Sequence, residues 1–154
     1  MIATRIKPAP KELYEEDFYL WTPRQAELLR ARRYDELDLA HLIEEVEDLG
    51  GAAKKSVRSR ARTFIEHLLK LQRSLAVDPR PGWRDTVRTQ RGDLLDDLTP
   101  TLRRELNEEL EELYARARQR AEGSLRDPGE HAAADALPET CPYTADQITG
   151  GWLP

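Results

Sequence analysis

The longest regular pattern in the chain is an apolar stripe that recurs every three or four residues between positions 39 and 75. This spacing places side chains on one face of an α-helix, which turns about 100° per residue. The stripe consists of Leu39, Leu42, Ile43, Val46, Leu49, Val57, Phe64, Ile65, Leu68, Leu71 and Leu75. Its phase continues across Gly50 and Gly51, so we predict one long helix over 38–75, with Asp38 as its N-cap, rather than two helices with a break between them.

Three other segments show helical spacing. In the segment over 13–32, Pro23 falls inside the pattern. Two alternatives stay open there: one helix that bends at Pro23, or two short helices with Thr22 as the cap of the second. In the last, Thr99 and Pro100 predict a cap followed by proline at the first helical position. With the long helix included, the predicted helices cover residues 13–32, 38–75, 83–98 and 100–122.

The two ends of the chain lack this pattern. Residues 1–12 include Pro8 and Pro10 and are predicted as an extended lead-in, and residues 123–154 as a C-terminal arm. We therefore predict an all-α protein, an elongated bundle of four main helices with an extended, partly irregular arm. A chain of 154 residues is long enough for one domain, predicted over 13–154.

The centre of each stripe is expected to be buried. These central residues are Trp21, Phe64, Leu68, Trp83 and Leu106. Gln25 and Gln90 are polar residues within apolar stripes, and buried amides need hydrogen-bond partners. We expect the two glutamines to bond to each other or to tyrosine hydroxyls and to fix the helix register, with ligand binding as the alternative.

Charge is distributed in blocks that the net charge of −5 conceals. Residues 12–48 hold 12 acidic and 4 basic side chains, whereas residues 54–91 hold 11 basic and 3 acidic ones. The first block therefore has a net charge of −8 and the second of +8.

The single cysteine, Cys141, excludes an intrachain disulfide framework, and with no basic-then-apolar leader it favours a cytoplasmic location. No apolar run is long enough to span a membrane.

The basic block supplies the candidate partner-binding residues, in two rows at helical spacing. They are Lys55, Arg58 and Arg62 on the long helix and Arg84, Arg88 and Arg91 on the next one. In an antiparallel pair the two rows would line one groove for phosphate, an acidic protein helix or nucleic acid, unless acidic segments of this chain or a second copy neutralise them. A pI near 5.3 disfavours nucleic acid.

Three other candidates for chemistry have plainer structural interpretations. His41, Glu44, Glu45 and Asp48 have metal-ligand spacing but lie opposite the apolar stripe, so we predict a solvated face and no metal. His67 lies at the edge of the stripe and is expected to be a packing residue rather than a base. Cys141 follows Thr140 and precedes Pro142, which favours a fixed extended arm over a nucleophile.

Several short motifs together resemble a bacterial family known as domain of unknown function twenty-nine. They are Tyr14-Glu15-Glu16-Asp17-Phe18-Tyr19-Leu20-Trp21, Leu37-Asp38-Leu39, Leu42-Ile43-Glu44-Glu45-Val46-Glu47-Asp48-Leu49-Gly50, His67-Leu68-Leu69-Lys70, Trp83 with Gln90-Arg91, and Pro138-Glu139-Thr140-Cys141-Pro142-Tyr143. The resemblance implies a small all-helical protein and supplies no mechanism, since the family has no established activity. Leu71 departs from its pattern, in which we expect tryptophan.

We predict a non-catalytic, cytoplasmic helical interaction module without a cofactor. A helix over 38–75 would extend about 57 Å, whereas a chain of this size has a radius of gyration of about 15 Å when compact. The helix would leave apolar surface open, so we expect a homodimer, with an acidic protein as a further partner class. The alternatives are a nucleic-acid-associated protein that uses the basic rows and an enzyme with a site near His67.

Overall fold

The computed structural model describes the backbone of residues 10–153 and the side chains of residues 13–153. Its helices are α1 (Pro10–Glu16), α2 (Phe18–Arg30), α3 (Leu39–Arg73), α4 (Arg80–Asp97), α5 (Pro100–Glu108), α6 (Leu110–Arg126), α7 (His131–Asp135) and α8 (Ala145–Thr149), with a 3-10 turn at Tyr34–Glu36. The described residues contain no strand, so the predicted all-α class is confirmed. Most of the predicted lead-in lies outside the described residues, and its last residues belong to α1, which begins at Pro10.

The chain divides into two compact units, residues 1–51 and 52–154. The single domain over 13–154 stays a prediction. Helix α3 contributes residues to both units and runs through Gly50 and Gly51 as one helix. A Cβ atom added at either glycine would meet no neighbouring atom within 4 Å. The glycines are therefore not required there by close packing within the chain.

In the first unit, the break in the N-terminal helical segment lies at Asp17 and not at Pro23. The Asp17 carboxylate accepts a hydrogen bond from the Leu20 N–H at 3.0 Å, which caps α2 and ends the previous helix. Pro23 lies inside α2, and Thr22 donates its hydroxyl to the Phe18 carbonyl instead of acting as a cap. Both alternatives that the sequence offers for this segment are therefore wrong about where the helix divides.

The second unit places α4 and the α5–α6 segment on α3. Thr99 caps α5 by accepting from the Leu102 N–H, with Pro100 in the first turn. The predicted last helix is divided at Glu109, whose ψ of 4° departs from helical geometry, and its second part continues beyond Gly123 to Arg126. Helix α4 begins at Arg80 because proline at position 81 is tolerated in a first helical turn.

The hydrophobic core of the second unit forms along the back half of the predicted stripe. Phe64, Leu68 and Leu106 are buried in it, as the sequence predicts. Trp83 is only partly buried and packs against the edge of this core, so its prediction as a central residue is wrong. In the first unit, Trp21 is buried at 2% exposure.

The C-terminal segment packs on the second unit through buried apolar residues and through bonds to its backbone. Leu137, Tyr143 and Ile148 are buried, whereas Trp152 is 38% exposed. The Tyr114 hydroxyl and the Arg118 Nε both donate to the Pro138 carbonyl, at 2.5 Å and 2.9 Å. These contacts hold the C-terminal segment in place, although its helices α7 and α8 are short.

Candidate interaction surfaces

The front half of α3 carries an exposed apolar surface, which we call the front stripe. It consists of Leu39, Ile43, Val46 and Leu49, with exposed fractions of 60%, 51%, 65% and 71%. Their spacing of four and three residues places all four on one helix face. Exposed apolar groups that share one face commonly mark an interaction site.

The front stripe is exposed because α1 contacts a different face of α3. The Tyr14 ring stacks on the His41 imidazole with centroids 3.8 Å apart, and its hydroxyl donates to Glu45 at 2.7 Å. The bond to Glu45, together with burial, raises the pKa of Tyr14 to about 12. His41 and Glu45 are half-buried, so the prediction of a solvated face is wrong for them, whereas Glu44 and Asp48 are exposed.

A buried polar network fixes the start of α3 against α2. The Asp38 carboxylate, 1% exposed, accepts from the Trp21 indole N–H at 3.2 Å and bonds to His41 Nδ1 at 2.6 Å. Burial alone would raise the pKa of Asp38, but the bonds from His41 and Trp21 outweigh it and lower that pKa. The Asp38 N–H donates to Gln25 Oε1 at 2.9 Å, which gives Gln25 a positioning role in this unit.

Gln90, the second glutamine candidate, is half-buried on α4 in the other unit. Its pairing with Gln25 stays a prediction. Among the described residues, no group of three or more His, Cys, Asp or Glu side chains is arranged to hold a metal ion.

The basic row on α3 lies beside α5 and α6. Arg58 forms ion pairs with Glu109 at 2.8 Å and Glu112 at 3.2 Å. Lys55 is exposed, and Arg62 is partly buried without an ion pair among the described residues. Acidic residues of the chain itself therefore neutralise part of the predicted partner-binding row.

The basic row on α4 has different surroundings. Arg84 is exposed, and Arg88 pairs with Asp85 at 3.2 Å on the surface. Arg91 lies 4.8 Å from the centre of the Phe64 ring and donates to the backbone carbonyls of Ile148 and Trp152. Burial lowers the pKa of Arg91, whose role here is to hold the C-terminal segment.

The two rows do not line one groove. Arg60 bonds to Asp93 and Asp97 of α4, which shows the flank of α3 that α4 occupies. Arg58 is two residues before Arg60 and so points about 200° away around the helix, toward α5 and α6. The structure thus brings Arg58 and Arg62 together on one flank and leaves the α4 row on the other.

His67 belongs to a small polar cluster at the far end of α3. Its Nδ1 lies 2.9 Å from the Thr63 carbonyl, so the proton is assigned to Nδ1 and Nε2 faces the Lys70 ammonium at 3.4 Å. Burial and the Lys70 charge lower the pKa of His67. Lys70 is 7% exposed, pairs with Glu66 at 3.2 Å and lies 5.4 Å from the Trp83 ring centre. Every member of the cluster therefore has a structural contact.

Cys141 is half-buried in the C-terminal segment. Its thiol donates to the Tyr143 carbonyl at 3.4 Å, and burial raises its pKa. A raised pKa leaves less thiolate at neutral pH, which is the opposite of what a nucleophilic cysteine needs.

An open depression of about 390 Å³ lies between α5 and the start of α8. Its lining includes Arg103 and Arg104 with Thr144 and Asp146. Arg103 already pairs with Asp146 at 3.0 Å and donates to the Thr149 hydroxyl at 2.9 Å. The positive charge of this depression is therefore partly neutralised by the Asp146 carboxylate.

Sequence reasoning missed Arg116 and Arg120 of α6 as members of a basic surface. Both are exposed and lie one helical turn apart. Their spacing is visible in the sequence, but an arginine-rich helix end also suits the helix macrodipole. Only the packing of α6 beside α3 brings them toward Arg62, whose guanidinium senses both positive charges.

The family model described as "Domain of unknown function DUF29" matches residues 13–153. The chain belongs to this family. No curated protein matches the sequence. A solved structure, an alpha-helical protein of unknown function from Rhodospirillum rubrum ATCC 11170, is similar with 28% identity and a TM-score of 0.67. The match covers 90% of this chain and 89% of that one. This DUF29 chain therefore shares its all-α fold with that alpha-helical protein.

Within the described part of this DUF29 protein, no helix has the combination of length and apolar character that crossing a bilayer requires.

Proposed function

We propose that this DUF29 protein is a non-catalytic, cytosolic helical interaction module that self-associates as a homodimer. The observation that carries the proposal is the front stripe, four large aliphatic side chains that are each more than half exposed. The single cysteine supports the cytosolic setting, because the sequence offers no intrachain disulfide for an oxidising compartment to form.

A second copy is the partner that the charge pattern favours. The acidic block over 12–48 and the basic block over 54–91 carry net charges of −8 and +8 in the same chain. In a two-fold dimer with antiparallel α3 helices, the acidic front half of one helix faces the basic back half of the other. The same contact then forms twice, once on each side of the symmetry axis.

The front stripe alone supplies only part of the free energy of association. Burying the exposed half of a large aliphatic side chain contributes about 1 kcal/mol, so eight of them contribute about 8 kcal/mol. The loss of rotational and translational freedom on association costs about 4–15 kcal/mol. The dimer therefore needs polar contacts beyond the stripe, and we expect its affinity to be modest.

Sedimentation velocity over a range of concentrations tests the proposal. We expect the sedimenting mass to rise with concentration from 17.7 kDa toward twice that value. Val46→Asp should shift the equilibrium to the monomer, because it puts a charge in the centre of the front stripe. Val77→Asp is the matched control, since Val77 is 75% exposed in the loop after α3 and should leave the dimer intact. A monomer mass at all concentrations would overturn the proposal.

A further inference from the structure

A ladder of ion pairs joins α3 to α5 and α6, one rung per helical turn. Lys54 Nζ lies 2.9 Å from Glu105 and 3.0 Å from Glu109. One turn later, Arg58 lies 2.8 Å from Glu109 and 3.2 Å from Glu112. Each cation of α3 thus meets two glutamates, and the contacts raise the pKa of Lys54 and lower that of Glu109.

The ladder fails at Arg62, the next residue of the same row. Where a glutamate would continue the pattern, α6 presents Arg116 and Arg120. The Arg62 Nε atom is buried without a hydrogen-bond acceptor among the described residues. Burial, followed by the charges of Arg120 and Arg116, lowers the pKa of the Arg62 guanidinium.

This arrangement is electrostatically unfavourable within the single chain. Arg116 shares Glu112 with Arg58, so one carboxylate serves two guanidinium groups. Arg62 and Arg120 then have no ion-pair partner among the described residues, and the Glu66 carboxylate that Arg62 senses is already paired with Lys70. Like charges without a nearby acid destabilise a fold, and such local conflicts commonly occur at functional sites.

The cluster opens onto the surface of the second unit. The Arg116 side chain is 57% exposed, and Arg120 is also exposed. An open surface of this kind is suited to carboxylates that project from a helix of another protein, with which guanidinium groups form charge-assisted hydrogen bonds.

We propose that Arg62, Arg116 and Arg120 of one copy bind the exposed carboxylate of Glu47 on the front half of α3 in a second copy. This inference rests on the proposed homodimer and identifies the polar contact that the front stripe lacks. Glu47 follows Val46 directly and lies one helical turn after Ile43, so a helix that docks through the front stripe presents this carboxylate at the border of the contact. Two-fold symmetry makes the charge contact twice per dimer.

Charge reversal tests this contact. In sedimentation experiments at low salt, Arg120→Glu should raise the dimer dissociation constant by about tenfold or more, because two symmetric ion-pair sites become repulsive. Arg62→Gln should also weaken the dimer. Arg104→Glu, an exposed arginine reversed on neighbouring α5, is the matched control and should change the constant less than twofold. The difference between Arg120→Glu and the control should shrink at high salt.

A compensating pair makes the test specific. The double variant Arg120→Glu with Glu47→Arg should restore dimerisation, because the reversed charges again have opposite signs across the interface. Circular dichroism of each variant checks that helix content is unchanged.

The failures of the two proposals can be told apart. A dimer that Val46→Asp disrupts, but that Arg120→Glu and Arg62→Gln leave unchanged, would overturn this inference and leave the proposed function standing. A monomer under all conditions would overturn both. Salt-sensitive binding of short duplex DNA that Arg120→Glu abolishes, with unchanged dimerisation, would assign the cluster to nucleic acid instead.

Discussion

Replacing Asp38 tests the network that fixes the start of α3. In Asp38→Ala, the Trp21 indole N–H loses its acceptor at 3.2 Å while its side chain remains only 2% exposed. A buried donor without an acceptor costs about 1–3 kcal/mol. The lost pair with His41, whose side chain is 25% exposed, adds about 0.5–1 kcal/mol after solvent screening. We therefore expect a loss of about 1.5–4 kcal/mol, a large fraction of the 5–15 kcal/mol that is typical of folded proteins.

Urea unfolding followed by tryptophan fluorescence measures this loss. In a background with Trp83→Phe and Trp152→Phe, Trp21 alone reports on the first unit. Asp38→Asn is the matched control, because it keeps an oxygen acceptor for the indole but removes the charge, and we expect it to cost about half as much as alanine.

The pH dependence of the free energy of unfolding tests the role of the Asp38 carboxylate a second time. The pKa of Asp38 is lower in the folded chain than its ordinary value of 3.8, so its ionised form stabilises the fold above that pH. This stabilisation is lost as the pH falls through the folded pKa, and the difference in stability between the wild type and Asp38→Asn should shrink there. Equal stability of wild type and Asp38→Ala at neutral pH would refute the argument.

Two further predictions concern the second unit. Phe64→Ala should cost about 3–5 kcal/mol in urea unfolding because the ring is fully enclosed, and a loss below about 1 kcal/mol would contradict that enclosure. For His67, the folded pKa lies below the ordinary value of 6.5, so the unfolded chain binds protons more readily and stability falls as the pH drops below that value. His67→Gln should reduce this loss between about pH 7.5 and pH 5.5, and an unchanged pH dependence would count against a buried neutral imidazole.

The sequence predicts much of the second unit because local rules and burial agree there. Phe64, Leu68 and Leu106 stand at the centres of their stripes and are buried, and Thr99 caps α5 as its sequence predicts. Trp83 has the same periodicity but packs at the edge of the core. Periodicity identifies a helix face and does not tell how far along that face the neighbouring helices reach.

For the candidate interaction surfaces, helical spacing predicts even less about which contacts a residue makes. Charge counts identify basic residues at helical spacing, but they cannot tell that Arg58 meets glutamates while Arg62 meets arginines. That difference depends on the register between α3 and α6, which are far apart in sequence. Arg91 likewise has the spacing of a surface row, and only the fold places it over Phe64 and against the C-terminal segment.

The sequence by itself determined the continuous long helix through Gly50 and Gly51 and the capped start of α5, because the spacing of apolar residues and a cap act within a few residues. It also determined the family, through motifs distributed over residues 13–153. Tertiary structure alone decided which face of each helix is covered. Tyr14 and Asp38 draw α1 and α2 to the His41 face of α3, so the front stripe stays exposed although it continues the phase of the buried residues. Burial is a property of contacts between distant segments, and local periodicity carries no information about which segment arrives.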